Sequence, residues 1–83
     1  MKNPLLNATI MRILSRLDPV PVQTDTLAAE IDISLAEPVT TVQFRAALAD
    51  LRRMRLVAVG EIQMLGVETV RLTDAGRREA AKL

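Results

Sequence analysis

LADLRRMRLVAVGEIQMLGVETVRLTDAGRR, residues 48–78, changes its periodicity twice, and those two changes decide the fold. Leu48 and Leu51 continue a three-and-four spacing begun by Phe44 and Ala47, with Arg55 on the same face. That spacing is helical and predicts a helix from a cap at Thr40 or Thr41 to about Met54. Beyond Leu56 the period falls to two: Val57, Val59 and Ile62, then a second run with Val70 and Leu72. Alternation on both sides of a glycine, Gly66, reads as a β-hairpin with Gly66 at a turn position of positive φ. Thr73 then offers a cap, with Asp74 in the first turn, for a short closing helix from Asp74 to Leu83.

Upstream of this stretch two more helices are legible. Asn3 followed by Pro4 supplies an N-cap and a proline at the first helical position, where its missing N–H costs nothing. Leu6, Ile10, Ile13, Leu14 and Leu17 form one apolar stripe, with Arg12, Ser15 and Arg16 opposite. Pro19 stops this helix at Asp18, and Pro19-Val20-Pro21 makes an extended connector. A second helix is expected from Thr24 to about Ile33, with Leu27, Ala28 and Ile31 apolar and Asp25 near its positive end. Ser34 to Val39, containing Pro38, connects it to the third helix. The expected core is Leu6, Ile10, Ile13, Leu17, Leu27, Ile31, Phe44, Leu48, Leu51 and Leu72. Leu5 and Met11 lie off the stripe of the first helix, which predicts a weak homodimer through that helix or simply a partly exposed apolar fringe.

Three helices followed by a hairpin is the order of the winged helix-turn-helix. Leu27-Ala28-Ala29-Glu30-Ile31-Asp32-Ile33-Ser34 resembles the second helix and turn of bacterial winged-helix regulators. Leu48 to Val57 is similar to the end of their third helix and the start of the wing. Leu72-Thr73-Asp74-Ala75-Gly76-Arg77-Arg78 resembles the strand-to-helix junction after the wing in the MarR and PadR groups. The resemblance runs from Leu27 to the end, in order, and implies a mostly helical α+β winged helix-turn-helix: a three-helix bundle, a two-stranded wing and a short C-terminal helix in one domain, 1–83. Arg55 and Asp32 stand where such families often have Gly, and the connector before the third helix is longer than usual.

Composition narrows the function classes. The 83 residues hold 49% hydrophobic but 1% aromatic residues, so Phe44 is the sole ring available to a core filled by Leu, Ile, Val, Ala and Met. Without Cys or His, disulfides, thiolate metal sites and the commonest general base are excluded. The remaining carboxylates, arginines and hydroxyls show no nucleophile beside a base, so neither an enzyme nor a cofactor or metal protein is expected. No apolar run reaches a membrane span and no signal peptide is legible, which predicts a cytoplasmic protein that does not contact membrane.

The resemblance implies that the third helix enters a DNA major groove while the wing and the start of the second helix touch phosphates. Thr41, Gln43 and Arg45 at its N-terminal end are then the candidates for base readout, and Arg45, Arg52 and Arg53 for phosphate or base contacts. For Gln43 and Arg45 an ordinary solvated helix flank fits equally well. Net charge is only +1, no Lys or Arg stands between Arg16 and Arg45, and residues 56–70 carry Glu61 and Glu68 but no basic residue. The outward direction of the third helix holds Val42, Ala46, Ala49 and Arg53, and the expected wing tip holds Met64 and Leu65. Two readings follow: a transcriptional regulator of bacterial or phage type that binds double-stranded DNA, which the fold's usual employment favours, and a protein-protein interaction module whose contact is Val42-Ala46-Ala49 or Met64-Leu65.

Overall fold

The computed structural model describes residues 4–62 and 66–83, with side chains over 4–60 and 66–83. Asn3, Met64 and Leu65, for which a helix cap and a wing tip were expected, lie outside the described residues. Along the chain run helix α1 (Pro4–Leu17), strand β1 (Val22–Gln23), helices α2 (Thr24–Ser34) and α3 (Thr41–Arg53), strands β2 (Val57–Ile62) and β3 (Val67–Leu72), and helix α4 (Asp74–Ala80). This is a mostly helical α+β winged-helix arrangement, as the periodicity predicts.

The wing is not limited to two strands. β2 and β3 form the expected antiparallel hairpin, with Val57 opposite Leu72 and Val59 opposite Val70, and Gly66 takes φ +61°. β1 adds to the other edge of β3, Val22 opposite Val70 and Gln23 opposite Thr69, giving the order β1-β3-β2. The extended connector after Pro19 thus ends as a short strand. Too brief to show an alternating pattern, it closes an otherwise open edge of the central strand and buries Val22.

The three helices and the inner face of the sheet enclose an aliphatic core in which Leu6, Ile10, Leu27, Leu51, Val70 and Leu72 are almost wholly shielded from solvent. Phe44, the lone ring, is buried with Ala47 and Leu48 on the inner face of α3. Two expectations about α1 are corrected. Met11 is buried, not exposed, because the α1 stripe is wide enough to include it: α2, α3, α4 and β3 all pack on this helix. A homodimer through α1 therefore cannot use Met11, although Leu5 is exposed as expected. Leu17 leaves the core, 39% exposed, since it is the last residue of the helix and the chain turns away at Asp18.

α3 ends in a left-handed C-cap. Leu56 N–H donates to Leu51 C=O (3.0 Å) and Arg55 N–H to Arg52 C=O (3.0 Å), with Arg55 at φ +60°. This is the Schellman pattern, in which glycine normally holds the left-handed position. Arg55 therefore leaves the helical face on which its spacing from Phe44 and Leu51 placed it. Asp32 is still within α2, which runs on to Ser34, so the second departure from glycine involves no special backbone. The cap also docks α4: Thr73 Oγ1 donates to Arg55 C=O (2.6 Å), Thr73 N–H donates to Leu56 C=O (3.1 Å), and the Thr73 hydroxyl accepts from Gly76 N–H (3.0 Å). Gly76 is buried against the Leu56 carbonyl, and a Cβ built there would stand 2.0 Å from that oxygen.

Candidate nucleic-acid interface

α3 is fixed at its start by a reciprocal capping box. Thr40 Oγ1 accepts from Gln43 N–H (3.1 Å), and Gln43 Oε1 accepts from Thr40 N–H (2.9 Å). A Thr cap with Gln three residues on satisfies two helix-end donors at once. Gln43, expected as a base reader, has its carbonyl oxygen engaged in this cap, leaving the amide NH2 group outward. The Thr40–Gln43 spacing was the available signal.

The inner residues of α3 face the core, so the helix's other directions follow from its 100° step. Val42, Ala46, Ala49 and Arg53 point outward and are all exposed, Val42 at 79%. Arg45 and Arg52 lie on the flank toward the sheet. There a groove between α3 and the strands is lined by Arg45, Leu48, Ala49, Arg52 and Arg53 from the helix, and by Val59 and Glu68 from the sheet. The structure thus brings together Arg45, Arg52 and Arg53, the candidates for phosphate contact, around an apolar floor. Thr41 sits instead in a second groove between α2 and α3, with Asp25, Asp32 and Arg45.

Two of the three arginines are held by carboxylates. Arg45 Nη1 donates to Glu68 Oε1 on the wing at 2.7 Å, with both side chains substantially exposed. Arg53 Nη2 donates to Asp50 Oδ1, one turn earlier. Asp50 is buried, and its other oxygen accepts from Asn7 Nδ2 of α1 at 3.4 Å, so the carboxylate pins α1, α3 and Arg53 together. The Asn7 Oδ1 atom is buried without a hydrogen-bond partner. Arg52 forms no ion pair among the described residues.

Several charges elsewhere are paired within the fold. Arg77 bridges Asp18 (Nε, 2.9 Å) and Asp74 (Nη1, 2.6 Å), and the Asp18 hydrogen bond and charge push its pKa further above the ordinary arginine value. Lys82 pairs with Glu79 (3.1 Å) and Arg16 with Glu30 (3.4 Å). Near the C-terminus Arg77 and Lys82 are engaged, while Arg71 and Arg78 carry no ion pair among the described residues. Val59 and Glu68 are legible in the sequence only as a strand residue and a wing acid, not as the residues that complete the α3 groove. Their contribution depends on hairpin register, which sets whether Glu68 faces α3 or solvent.

Among the described residues no cluster of acidic side chains is arranged to hold a metal ion, and no helix is long and apolar enough to cross a membrane. No protein-family model matches the chain, and no curated protein sequence does. The similarity to MarR and PadR regulators therefore stands on the three quoted motifs alone. The crystal structure of SSV1 F-93 superposes with a TM-score of 0.75 at 19% sequence identity, over 93% of this chain and 79% of that one. At that identity the likeness concerns the fold, and the fold it supports is the winged helix.

Proposed function

We propose that the chain is a small DNA-binding winged-helix protein that regulates transcription, presenting α3 to a major groove and the α3–sheet groove to the phosphate backbone. The observation that carries this reading is the convergence of Arg45, Arg52 and Arg53 on one groove. The carboxylates beside them are a modest obstacle. An exposed ion pair is worth about 0–1 kcal/mol, so Arg45 exchanges Glu68 for a phosphate at little cost. Arg53 uses one guanidinium nitrogen on Asp50 while its side chain stays 74% exposed, and its remaining donors face solvent. Thr41 and the Gln43 amide then lie at the end of the helix that meets the bases, where they would contribute to sequence preference.

A titration of the full chain against mixed-sequence duplex DNA over a range of salt tests this. Log affinity should fall linearly with log salt, by roughly 0.9 per phosphate neutralised, so that contacts from the three arginines give a slope of about −3. Arg52→Ala and Arg53→Ala should each remove about one unit of slope, whereas Gln43→Ala should alter preference among sequences with the slope unchanged. Absence of binding at low salt would overturn the reading. The exposed Val42 and Ala46 support the second reading, a protein-binding module. Under it, Val42→Asp or Ala46→Asp would abolish the complex by placing an unpaired charge in a desolvated contact, and Arg53→Ala would have little effect.

A further inference from the structure

The outward ridge of α3 is aliphatic where a DNA-reading helix ordinarily carries hydrogen-bonding side chains. Val42, Ala46 and Ala49 follow one another at steps of four and three residues, all exposed, with Val42 exposed more than almost any other large apolar residue described. Several polar groups around them are engaged within the fold, the Gln43 oxygen in the cap and the Asp50 carboxylate on Asn7 and Arg53, and the arginines stand to the flank of the ridge. A helix entering a major groove with this ridge foremost meets base edges with methyl groups. The only apolar group that the four ordinary bases display there is the C5-methyl of thymine. The short alanine side chains also let the helix backbone come close to the groove floor, and the flanking arginines supply the complementary charge for the phosphates on either side.

We propose that this chain selects thymine-rich duplex DNA through apolar contact of Val42 and Ala46 with thymine methyls, with Ala49 permitting close approach. The inference rests on the DNA-binding reading, and its test separates the two. The probes are an alternating dA·dT duplex and an alternating dA·dU duplex of equal length, which differ solely in the C5-methyl groups. Both present the same phosphates and the same minor-groove acceptors. The unmodified chain should bind the thymine duplex more tightly, by about fourfold for each methyl buried, which is the burial of one CH2-sized group (~0.8 kcal/mol) converted at 1.4 kcal/mol per factor of ten.

Val42→Ser and Ala46→Ser change exposed positions and should fold normally, which a circular dichroism melt verifies. Each should reduce the thymine-to-uracil ratio while leaving the salt slope of binding untouched. Equal affinity for the two duplexes in the unmodified chain overturns the proposal while DNA binding itself stands. A thymine preference that survives both serine variants overturns the assignment to Val42 and Ala46. Failure to bind either duplex at low salt, with Val42→Asp breaking a complex with a protein, overturns the DNA-binding reading and this inference with it.

Discussion

At the level of single residues, two backbone positions near the α3–α4 junction carry constraints that only the folded chain reveals. Arg55 holds the left-handed corner of a Schellman cap at φ +60°. An L-residue there costs about 1–2 kcal/mol, against ~0.5–1 kcal/mol of unfolded-state entropy that glycine adds. Arg55→Gly should therefore stabilise the protein by up to about 1.5 kcal/mol, read as a melting temperature raised by several degrees. Gly76 has the opposite sensitivity. Alanine normally improves a helix by ~1 kcal/mol, but here its Cβ would meet the Leu56 carbonyl at 2.0 Å, and that backbone is held by the α3 cap. Gly76→Ala should lose about 1–2 kcal/mol net, since overpacking outweighs propensity; a denaturant melt with an unchanged midpoint would show that the junction relaxes freely. Phe44→Ala should cost ~3–5 kcal/mol by leaving a cavity against α2, enough in so small a core for thermal melts to show partial or complete unfolding. The sequence made Phe44 legible as the sole ring and Gly66 as the glycine between two alternating runs. Arg55 was legible only as a departure from glycine, and Gly76 as part of a motif, because its crowding comes from a carbonyl twenty residues away in the chain.

Among the elements, legibility followed the number of periodic residues. α3 could be read to within a residue because Thr40 caps it, Phe44, Ala47, Leu48 and Leu51 repeat on one face, and the chain leaves the helix at Arg55. β1 could not, since two residues show no period and its partner, the far edge of β3, exists only once the hairpin has folded. The α1 stripe was read too narrowly at Met11 and too far at Leu17, because burial there depends on how many neighbours surround a helix, and on where the chain turns. The relation between α3 and the wing was also hidden, although it governs the candidate site: Glu68 faces Arg45 because β3 places Glu68 on the same side of the sheet as Val70 and Leu72. If that ion pair competes with phosphate, Glu68→Gln should tighten binding to mixed duplex DNA severalfold at low salt, and a weakened affinity would mean that the pair instead holds the wing in its binding position.

Across the whole molecule, the net charge of +1 conceals an uneven distribution. Acidic residues Asp25 and Asp32 flank the groove between α2 and α3, whereas Arg45, Arg52 and Arg53 line the groove between α3 and the sheet. The protein therefore offers one basic groove beside an aliphatic ridge, and α2 contributes little attraction for phosphate. Under the proposed reading, contact with DNA depends more on α3 and the sheet than on the start of α2. Amide chemical shifts recorded while mixed-sequence duplex DNA is added to the labelled full chain report that geometry residue by residue. Perturbations should concentrate at Thr41–Arg53, Val59 and Glu68, with the amides of Asp74–Ala80 nearly still; no perturbation at low salt, or one centred on α1 or α4, would rule out binding through α3 and the sheet.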